Sequence, residues 1–530
     1  MYMKNYKYRV RMNGITKSIS TILFIVFCMS TQVVTAESKD AKATVHSLSG
    51  LVRDAHTKLQ INAAQIKTLN GDASATTNEL GVFNLKVSSS TALLKVSAFD
   101  YNVREFPMQG KDSVVIELYS DIFGNYYKLI EGPEGPVDNV VTTNSIKGVN
   151  DLNHTIAVTA DEAIQTEFGG DVRAINRSGL SGMGASLFIR GLNSLNANAQ
   201  PLYVIDGVIW NNLYDVASIH KGFFSNPLDN IDVNDIESIS LMKDGTSLYG
   251  SKAANGVILI KTKRATSTVT KINLNIVTGM ITSPKILPVM NSAGYKTYVT
   301  NLLGTTGLTN DVISQIPFLN DNPARSTYNL YHNNTNWSDQ VYQNGISKSY
   351  SINVNGGDEK ALYYLTLGYM GNSGVVKSTD FQRYNLRLNA DINLFPKVSL
   401  GVNVGFSRID RKLVDDGVDS YTSPTWLSLT KSPFISPYTF TSLGVKTSEY
   451  TYADILGIGN PGGIINYSNN TLKQNSFNIT LKPVFKVTPS ILISEQFDYS
   501  LNKSNEDYYR PLYFSYPVYI TGYGYSANER

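Results

Sequence analysis

Four stretches in the second half of the chain alternate apolar and polar residues with a period of two. Tyr350, Ile352 and Val354 alternate with Ser349, Ser351, Asn353 and Asn355. Tyr384, Leu386, Leu388, Ala390 and Ile392 alternate with Asn385, Arg387, Asn389, Asp391 and Asn393. Val398, Leu400, Val402, Val404 and Phe406 stand against Ser399, Gly401, Asn403, Gly405 and Ser407, and Phe477, Ile479 and Leu481 against Asn478, Thr480 and Lys482. Successive side chains of a strand point to opposite faces, so each stretch predicts a strand with one apolar and one polar face. Turns such as Gly356-Gly357-Asp358 and Leu394-Phe395-Pro396-Lys397 separate them. Such a pattern sustained over about ten residues marks a transmembrane β-strand. A soluble β-sandwich alternates too, and stays open as the other reading.

Composition narrows the choice. Charged residues are 17%, against about 25% in typical soluble domains. The mean hydropathy of −0.14 excludes a polytopic helical membrane protein. Of 33 tyrosines, 23 lie in residues 271–530, and tyrosine suits an interfacial aromatic girdle. Lys and Arg number 46 and Asp and Glu 43, a net +3, which gives no electrostatic footprint for nucleic acid. The one cysteine, Cys28, excludes an intrachain disulfide and a zinc site built on several cysteines. His46, His56, His154, His220 and His332 are too scattered for a paired-histidine metal site. No cofactor is implied.

Residues 1–36 have the order of a secretory leader. Lys4, Lys7, Arg9, Arg11 and Lys17 precede the apolar run Ile22 to Met29, and Val34-Thr35-Ala36 follows; Met12 offers a shorter start. That run is far below the ~20 residues that cross a bilayer as a helix, so any membrane passage falls to β-strands.

Residues 45–119 predict a small β-sandwich of short strands and polar turns. Residues 120–143 form a linker, because Gly132-Pro133-Glu134-Gly135-Pro136 continues neither helix nor central strand. The linker ends in Val137, Asp138, Asn139, Val140, Val141, Thr142 and Thr143, a β-prone run suited to adding itself to a partner's sheet edge, or to being an ordinary edge strand. Residues 144–266 predict an α+β globule without a charged cleft. Ser186 to Gly191 and Pro201 to Gly207 are strand-like and closed by glycine. Ile236, Ile239 and Leu241 fit a short helix or a strand. Ser247 to Ala254 predicts a helical turn stopped by Asn255-Gly256, and Val257 to Ile260 a buried strand.

These residues carry two family resemblances. Thr76 to Leu85 resembles the hairpin of the carboxypeptidase regulatory-like fold, with Asn78 where aspartate is usual. The run from Leu187 to Asn196, with Arg190 and Gly191, resembles the plug signature of SusC/RagA-type TonB-linked outer-membrane transporters. So do Pro201, Tyr203, Asp206 and Gly207, then Lys243 and Asp244, and Tyr249, Gly250, Asn255 and Gly256. Asn336-Trp337, Gly374 to Lys377 and Arg383 to Arg387 extend the likeness to about residue 410.

The resemblance implies a mainly β chain of three parts: a periplasmic regulatory-like β-sandwich, an α+β plug over 144–266, and an incomplete transmembrane antiparallel β-barrel over 267–530. It implies that Val137 to Thr143 is the TonB box, with TonB supplying energy and a SusD-like surface lipoprotein as lid. The cargo would be an oligosaccharide more than an oligopeptide, and no nucleic acid is a partner. A β-strand on a Gly/Pro-rich leash can bind by augmentation and transmit force. Arg190 and Asp206 fit plug–barrel contacts and internal plug pairs equally well.

Other classes fare worse. Gly457-Ile458-Gly459-Asn460-Pro461-Gly462 matches a dinucleotide fingerprint but is expected to precede no helix. Asp232, Asn234 and Asp235 lack the rest of a calcium loop. Asp415, Asp416 and Asp419 are expected to be a solvated loop, and Trp337, Trp426, Tyr508, Tyr509 and the Tyr513 to Tyr519 segment to pack in loops or girdle rather than to stack on sugars. The chain is therefore not expected to be an enzyme. A secreted or surface β-rich binding protein without transport is the alternative, though it leaves the globule before the strands without a purpose. Residues 267–530 supply about ten strands, where the family's barrel has 22, so the chain is expected to be the amino-terminal part of a longer transporter.

Overall fold

The computed structural model describes residues 46–120, 144–148, 157–210, 226–414, 420–510 and 525–527, with Ser218 and Phe514, save for single positions and short gaps. The leader, Val137 to Thr143, the three acids Asp415, Asp416 and Asp419, Tyr513, and Ser515 to Tyr519 lie outside them.

The first unit stacks two sheets. β1 (His46–Asp54) pairs antiparallel with β4 (Val82–Val87) and parallel with β7 (Ser113–Leu118). The second sheet runs β3 (Ser74–Thr76), β2 (Gln65–Thr68), β5 (Leu93–Ser97), β6 (Arg104–Pro107). Alternate residues, including Leu48, Val52, Ile66, Phe83, Leu94 and Ile116, meet between the sheets. At the β4 turn, the Asn78 side-chain oxygen accepts from Leu80 and Val82 at 3.1 and 3.0 Å, as aspartate would. Gly81 (φ 71°) is required there, since a Cβ would stand 2.6 Å from the Val52 carbonyl.

The second unit is a five-stranded sheet ordered β12 (Val208–Trp210), β11 (Leu202–Ile205), β14 (Val257–Thr262), β13 (Ile236–Met242), β8 (Asn144–Gly148). β9 (Val172–Ile175) and β10 (Ser186–Ile189) pair beside it. β11 and β14 are parallel and buried along their length, so they read as continuous apolar runs. The helix Ala160–Phe168 packs with Leu187, Tyr203, Ile239 and Ile258 on one face, and Val204, Met242 and Leu259 close the other. Ile236 to Leu241, open between helix and strand in the sequence, is strand β13 because β14 and β8 pair with it along both edges.

The third unit is a wall. β15 (Lys271–Ile281), β16 (Gly345–Gly357), β17 (Ala361–Ser373), β18 (Asp380–Phe395) and β19 (Val398–Lys412) follow one another antiparallel. β20 (Tyr438–Phe440) and β21 (Lys446–Tyr450) form a separate hairpin in the next loop. The wall resumes with β22 (Asn469–Thr488), β23 (Ile491–Ser494), β24 (Phe497–Tyr509) and β25 (Tyr525–Ala527), completing a nine-stranded sheet that does not close among the described residues. The period-two stretches are strands, as expected. Their apolar residues face outward and their polar ones inward, where Asn389, Asn403 and Ser407 are buried against the second unit. Outside, Tyr350, Tyr369 and Tyr384 stand in a row across three strands, with ring centroids 6.0 and 5.1 Å apart.

One end of the wall has short turns at 358–360 and 396–397; the other has long loops at 282–344 and 413–468. The loops share a core of Phe318, Tyr331, Trp337, Phe434 and Ile435. Trp337 is 3% exposed, and its indole N–H donates to the Ser432 carbonyl at 2.9 Å, so it packs a loop; Trp426 is exposed. Buried Lys431 pairs with Asp454 at 3.0 Å. The sequence expectation fails at 457–462: a short helix, Pro461–Tyr467, does follow. Pro461 suits the first helical position, and the Asn460 side chain accepts from Gly462 and Gly463. Asn460 thereby caps the helix end that a phosphate would need, and the strands on either side, β21 and β22, belong to different sheets and form no parallel strand–helix–strand unit.

Candidate functional site

The second unit rests against the inner face of the wall, and the contact differs on its two flanks. Toward β18, β19 and β22 it is built on Asp229, Asp232 and Asp235. Two single 3-10 turns, Pro227–Asn230 and Val233–Asp235, produce this row. Asp229 lies in the first turn, Asp232 is the extended cap that opens the second, and Asp235 ends the second, which brings all three to the wall-facing side. Each turn is capped locally: Asn226 accepts from Leu228 at 3.0 Å and Asp232 from Asn234 at 2.9 Å.

All three acids are buried, and each meets an arginine from the wall. Arg411 pairs with Asp229 at 2.8 Å; Arg383 and Arg387 lie 3.6 Å from Asp232 and Asp235. Arg383 also donates to the carbonyls of Val158 and Asp229, at 3.0 and 3.2 Å. Arg411 donates to the Gly182 carbonyl at 2.8 Å. The planar guanidinium offers five donors, which lets one buried side chain satisfy several acceptors. A fourth pair runs the other way, from Arg264 of the second unit to Asp391 of the wall at 2.6 Å. Neutral bonds fill the gaps: Asn385 to the Asn230 carbonyl at 3.1 Å, and Asn389 to Thr262 and the Lys263 carbonyl, both at 2.8 Å. Burial pushes the Asp229 carboxyl up to about 8 against the pull of Arg411, and Asp235 up to about 6. Sterics add to the fit. Gly182 has φ 68° and a Cβ there would lie 2.1 Å from Phe381.

Toward β15, β16 and β17 the contact is open. A cavity of about 640 Å³ lies there, lined by Asn275, Ser347, Ser349, Asn372, Met183 and Met370 among others. Asn275 reaches Asn234 at 3.2 Å across it. The charged groups on its border are Glu162, Asp232 and Arg383, of which the last two belong to the ion-pair row.

The residues singled out in the sequence have different places. Arg190-Gly191 (φ 60° and 87°) and Asp206-Gly207 (φ 50° and 85°) are paired left-handed turns; the second closes β11 onto β12. Arg190 is exposed. Asp206 satisfies both of its readings. It accepts from the Thr262 N–H and hydroxyl at 2.9 and 2.6 Å, and from Asn403 of the wall at 3.4 Å. Gly207 faces Gln496 of the wall. Pro201 is buried, and the Tyr203 hydroxyl meets Gln200 at 3.3 Å. Lys243 pairs with Asp171 at 2.6 Å, and Asp244 accepts from the Thr246 hydroxyl at 3.0 Å. Tyr249 packs on the sheet, and Gly250 (φ 66°) ends the Thr246–Tyr249 turn. Asn255 donates to the Asn198 carbonyl at 2.8 Å before Gly256 (φ 88°). Asp206 and Gly207 reach the wall, while the hydrogen bonds and packing described for the others lie within the second unit.

The ion-pair row was missed. The expectation of a globule without a charged cleft is corrected, because Asp229, Asp232 and Asp235 line its wall-facing side. The available signal was the three-residue spacing of those acids, matched by arginines at polar positions of alternating strands. Among the described residues no group of three or more potential ligands could hold a metal.

Residues 136–257 match the TonB-dependent receptor plug domain family. The chain is similar to TonB-dependent receptor P26 of Formosa agariphila, 32% identical over 292 residues, which cover 53% of this chain and 27% of that protein. It is also similar to TonB-dependent receptor SusC of Bacteroides thetaiotaomicron, 27% identical over 72% of this chain and 35% of that one. The chain thus spans about a third or less of the length of these two relatives. Among solved structures it shares the fold of the RagAB peptide importer in its closed-closed state, with a TM-score of 0.57 at 20% identity, over 70% of this chain and 42% of that one.

Proposed function

We propose, from the premise that this chain is a SusC/RagA-like TonB-dependent receptor through its plug and first barrel strands, that it serves TonB-coupled import of an oligomer across the outer membrane. Residues 1–36 are the export leader, 45–119 a regulatory-like sandwich in the periplasm, and 120–143 a linker. Residues 144–266 are the plug and 267–530 the first part of the barrel. The turn end of the wall faces the periplasm, and the loop end faces outward and meets a SusD-like lipoprotein lid. Val137 to Thr143 is the segment that TonB takes. The chain performs no covalent chemistry on its cargo.

The observation that carries this reading is the asymmetry of the plug's seat. A plug held by buried ion pairs along one flank and bordering a cavity along the other can be displaced without leaving the wall. An obstruction of this kind has a use only if something moves it. Among the cavity's lining, Ser347, Ser349, Asn275 and Asn372 offer hydrogen-bonding groups to the hydroxyls of an oligomer, which favours a glycan before a peptide. The outer membrane has no nucleotide energy source, so force must come through protein contact.

The test is deletion of Val137 to Thr143 in the complete reading frame, with growth measured on a panel of single oligosaccharides and on peptides. The deletion is expected to abolish growth on one oligosaccharide class that the parent uses. Unchanged growth on every source would overturn TonB coupling through that segment.

A further inference from the structure

The amino-terminal sandwich sits on the turn-side rim of the wall, held by a backbone bridge, ion pairs and a hydroxyl contact. Glu105 on edge strand β6 forms a parallel bridge with Ser267, and its N–H donates to the Thr266 carbonyl at 2.8 Å. Its carboxylate pairs with Lys271 at the start of β15. Near the end of β22, Lys486 is 7% exposed and turned toward the sandwich. Its ammonium reaches Asp54 at 3.4 Å and the Ser120 hydroxyl at 2.9 Å. The same Asp54 oxygen accepts from the Tyr101 hydroxyl at 3.0 Å. Burial and the Asp54 charge push the Tyr101 phenol up, so it stays a donor.

Two features make this contact reversible. The sandwich core draws only on residues between Leu48 and Leu118, so its apolar cluster does not extend into the wall. Small polar interfaces between domains of one chain resemble transient ones, and relative motion is their default. The second feature is where Ser120 lies. It is the first residue of the linker, so tension on the linker arrives at the group that Lys486 holds.

We propose that this contact is a load-sensitive latch: the sandwich docks on the rim at rest, and pulling on the linker withdraws Ser120 from Lys486 and frees the sandwich. Once Ser120 leaves, Lys486 keeps Asp54 alone, and a nearly buried ammonium that loses a partner favours solvent. The release step rests on the reading above that TonB pulls on residues 137–143; the docking does not.

The experiment uses the Glu105→Cys/Ser267→Cys pair in the complete protein in its own cells. Residues facing each other across a β-bridge are about 5 Å apart at Cα, within disulfide reach. Cys28, the chain's one cysteine, lies in the expected leader and does not compete. Copper–phenanthroline is the probe, and cross-link yield is read by gel shift. The yield is expected to be high in cells whose proton gradient is collapsed and several-fold lower in energised cells. Lys486→Met should lower the yield in both, and Lys486→Arg should restore it. Equal yields in energised and de-energised cells would overturn the release. A yield that ignores Lys486→Met would overturn the bolt. If deleting Val137 to Thr143 leaves the energised drop intact, the latch stands and the assignment of that segment fails.

Discussion

The plug's two flanks meet the same wall by opposite means. Toward β18, β19 and β22, arginines and aspartates are buried together, and glycine lets backbone and ring touch at Gly182 and Phe381. Toward β15 to β17, the wall's own side chains on the border of the open space are uncharged, among them Asn275, Ser347, Ser349 and Asn372. A buried ion pair adds little net stability against an apolar substitute, but breaking one is costly because a charge is left stranded. The row is therefore better understood as setting position than as adding strength. It gives the plug one register on the wall and a steep penalty for leaving it, while the opposite flank is free to change.

The comparison is broken most severely by Arg411→Leu, which leaves Asp229 buried without its partner. Above about pH 8, where Asp229 is ionised, a loss of about 3–5 kcal/mol is expected. Below it, where a protonated acid loses a hydrogen-bond partner, the loss is about 1–3 kcal/mol. Both are read as a lower thermal midpoint in detergent and as faster trypsin cleavage of the plug. Gly182→Ala comes next. A methyl 2.1 Å from Phe381 on a backbone at φ 68° is expected to cost about 1–3 kcal/mol, and Phe381→Leu should recover part of it. Substitution on the open flank is the control. Ser349→Ala or Asn275→Ala should change stability by no more than about 0.5 kcal/mol. A loss there equal to that of Arg411→Leu would erase the distinction between flanks.

Acidity sharpens the same contrast. Asp229 holds its proton up to about pH 8 in the folded chain, against an ordinary carboxylate value near ~3.9 when unfolded. The folded state binds the extra proton, so this contribution is full below about pH 4 and is lost as pH rises through about 8. The thermal midpoint should fall between pH 5 and pH 8, and Asp229→Asn should flatten that fall. On the open flank the Asn275 amide does not titrate, so Asn275→Ala should leave the pH profile unchanged. Burial also raises the Glu162 carboxyl on the cavity border, so Glu162→Gln is the acid control for that side.

The wall was legible because period-two alternation is local: Val398 to Phe406 carries its register, its outward face and its inward face in nine residues. The left-handed turns at Gly191, Gly207, Gly250 and Gly256 were legible for the same reason. The ion-pair row was not, since Asp229 and Arg411 are 182 positions apart and neither is unusual in its own segment. Asn460 shows the limit at short range. The proline that argued against a helix stands at its first position, and only the cap contacts reveal it. The helix-or-strand ambiguity of Ile236 to Leu241 was settled by neighbours on both sides of the sheet, β14 and β8.

The row of Tyr350, Tyr369 and Tyr384 also serves as a depth gauge. About ten residues separate Tyr384 from the turn end of β18 at Phe395, roughly 35 Å along the strand. At a tilt near 45° that is a height of about 25 Å, the thickness of the apolar band an outer-membrane barrel presents to lipid. Arg383 adjoins the tyrosine row, and Asp391 lies close to the opposite boundary. The plug is thus pinned at two levels of the wall, at Arg383 and at Asp391 on the same strand. Two pins along an axis forbid tilting about either one, so a pull from one side loads both together.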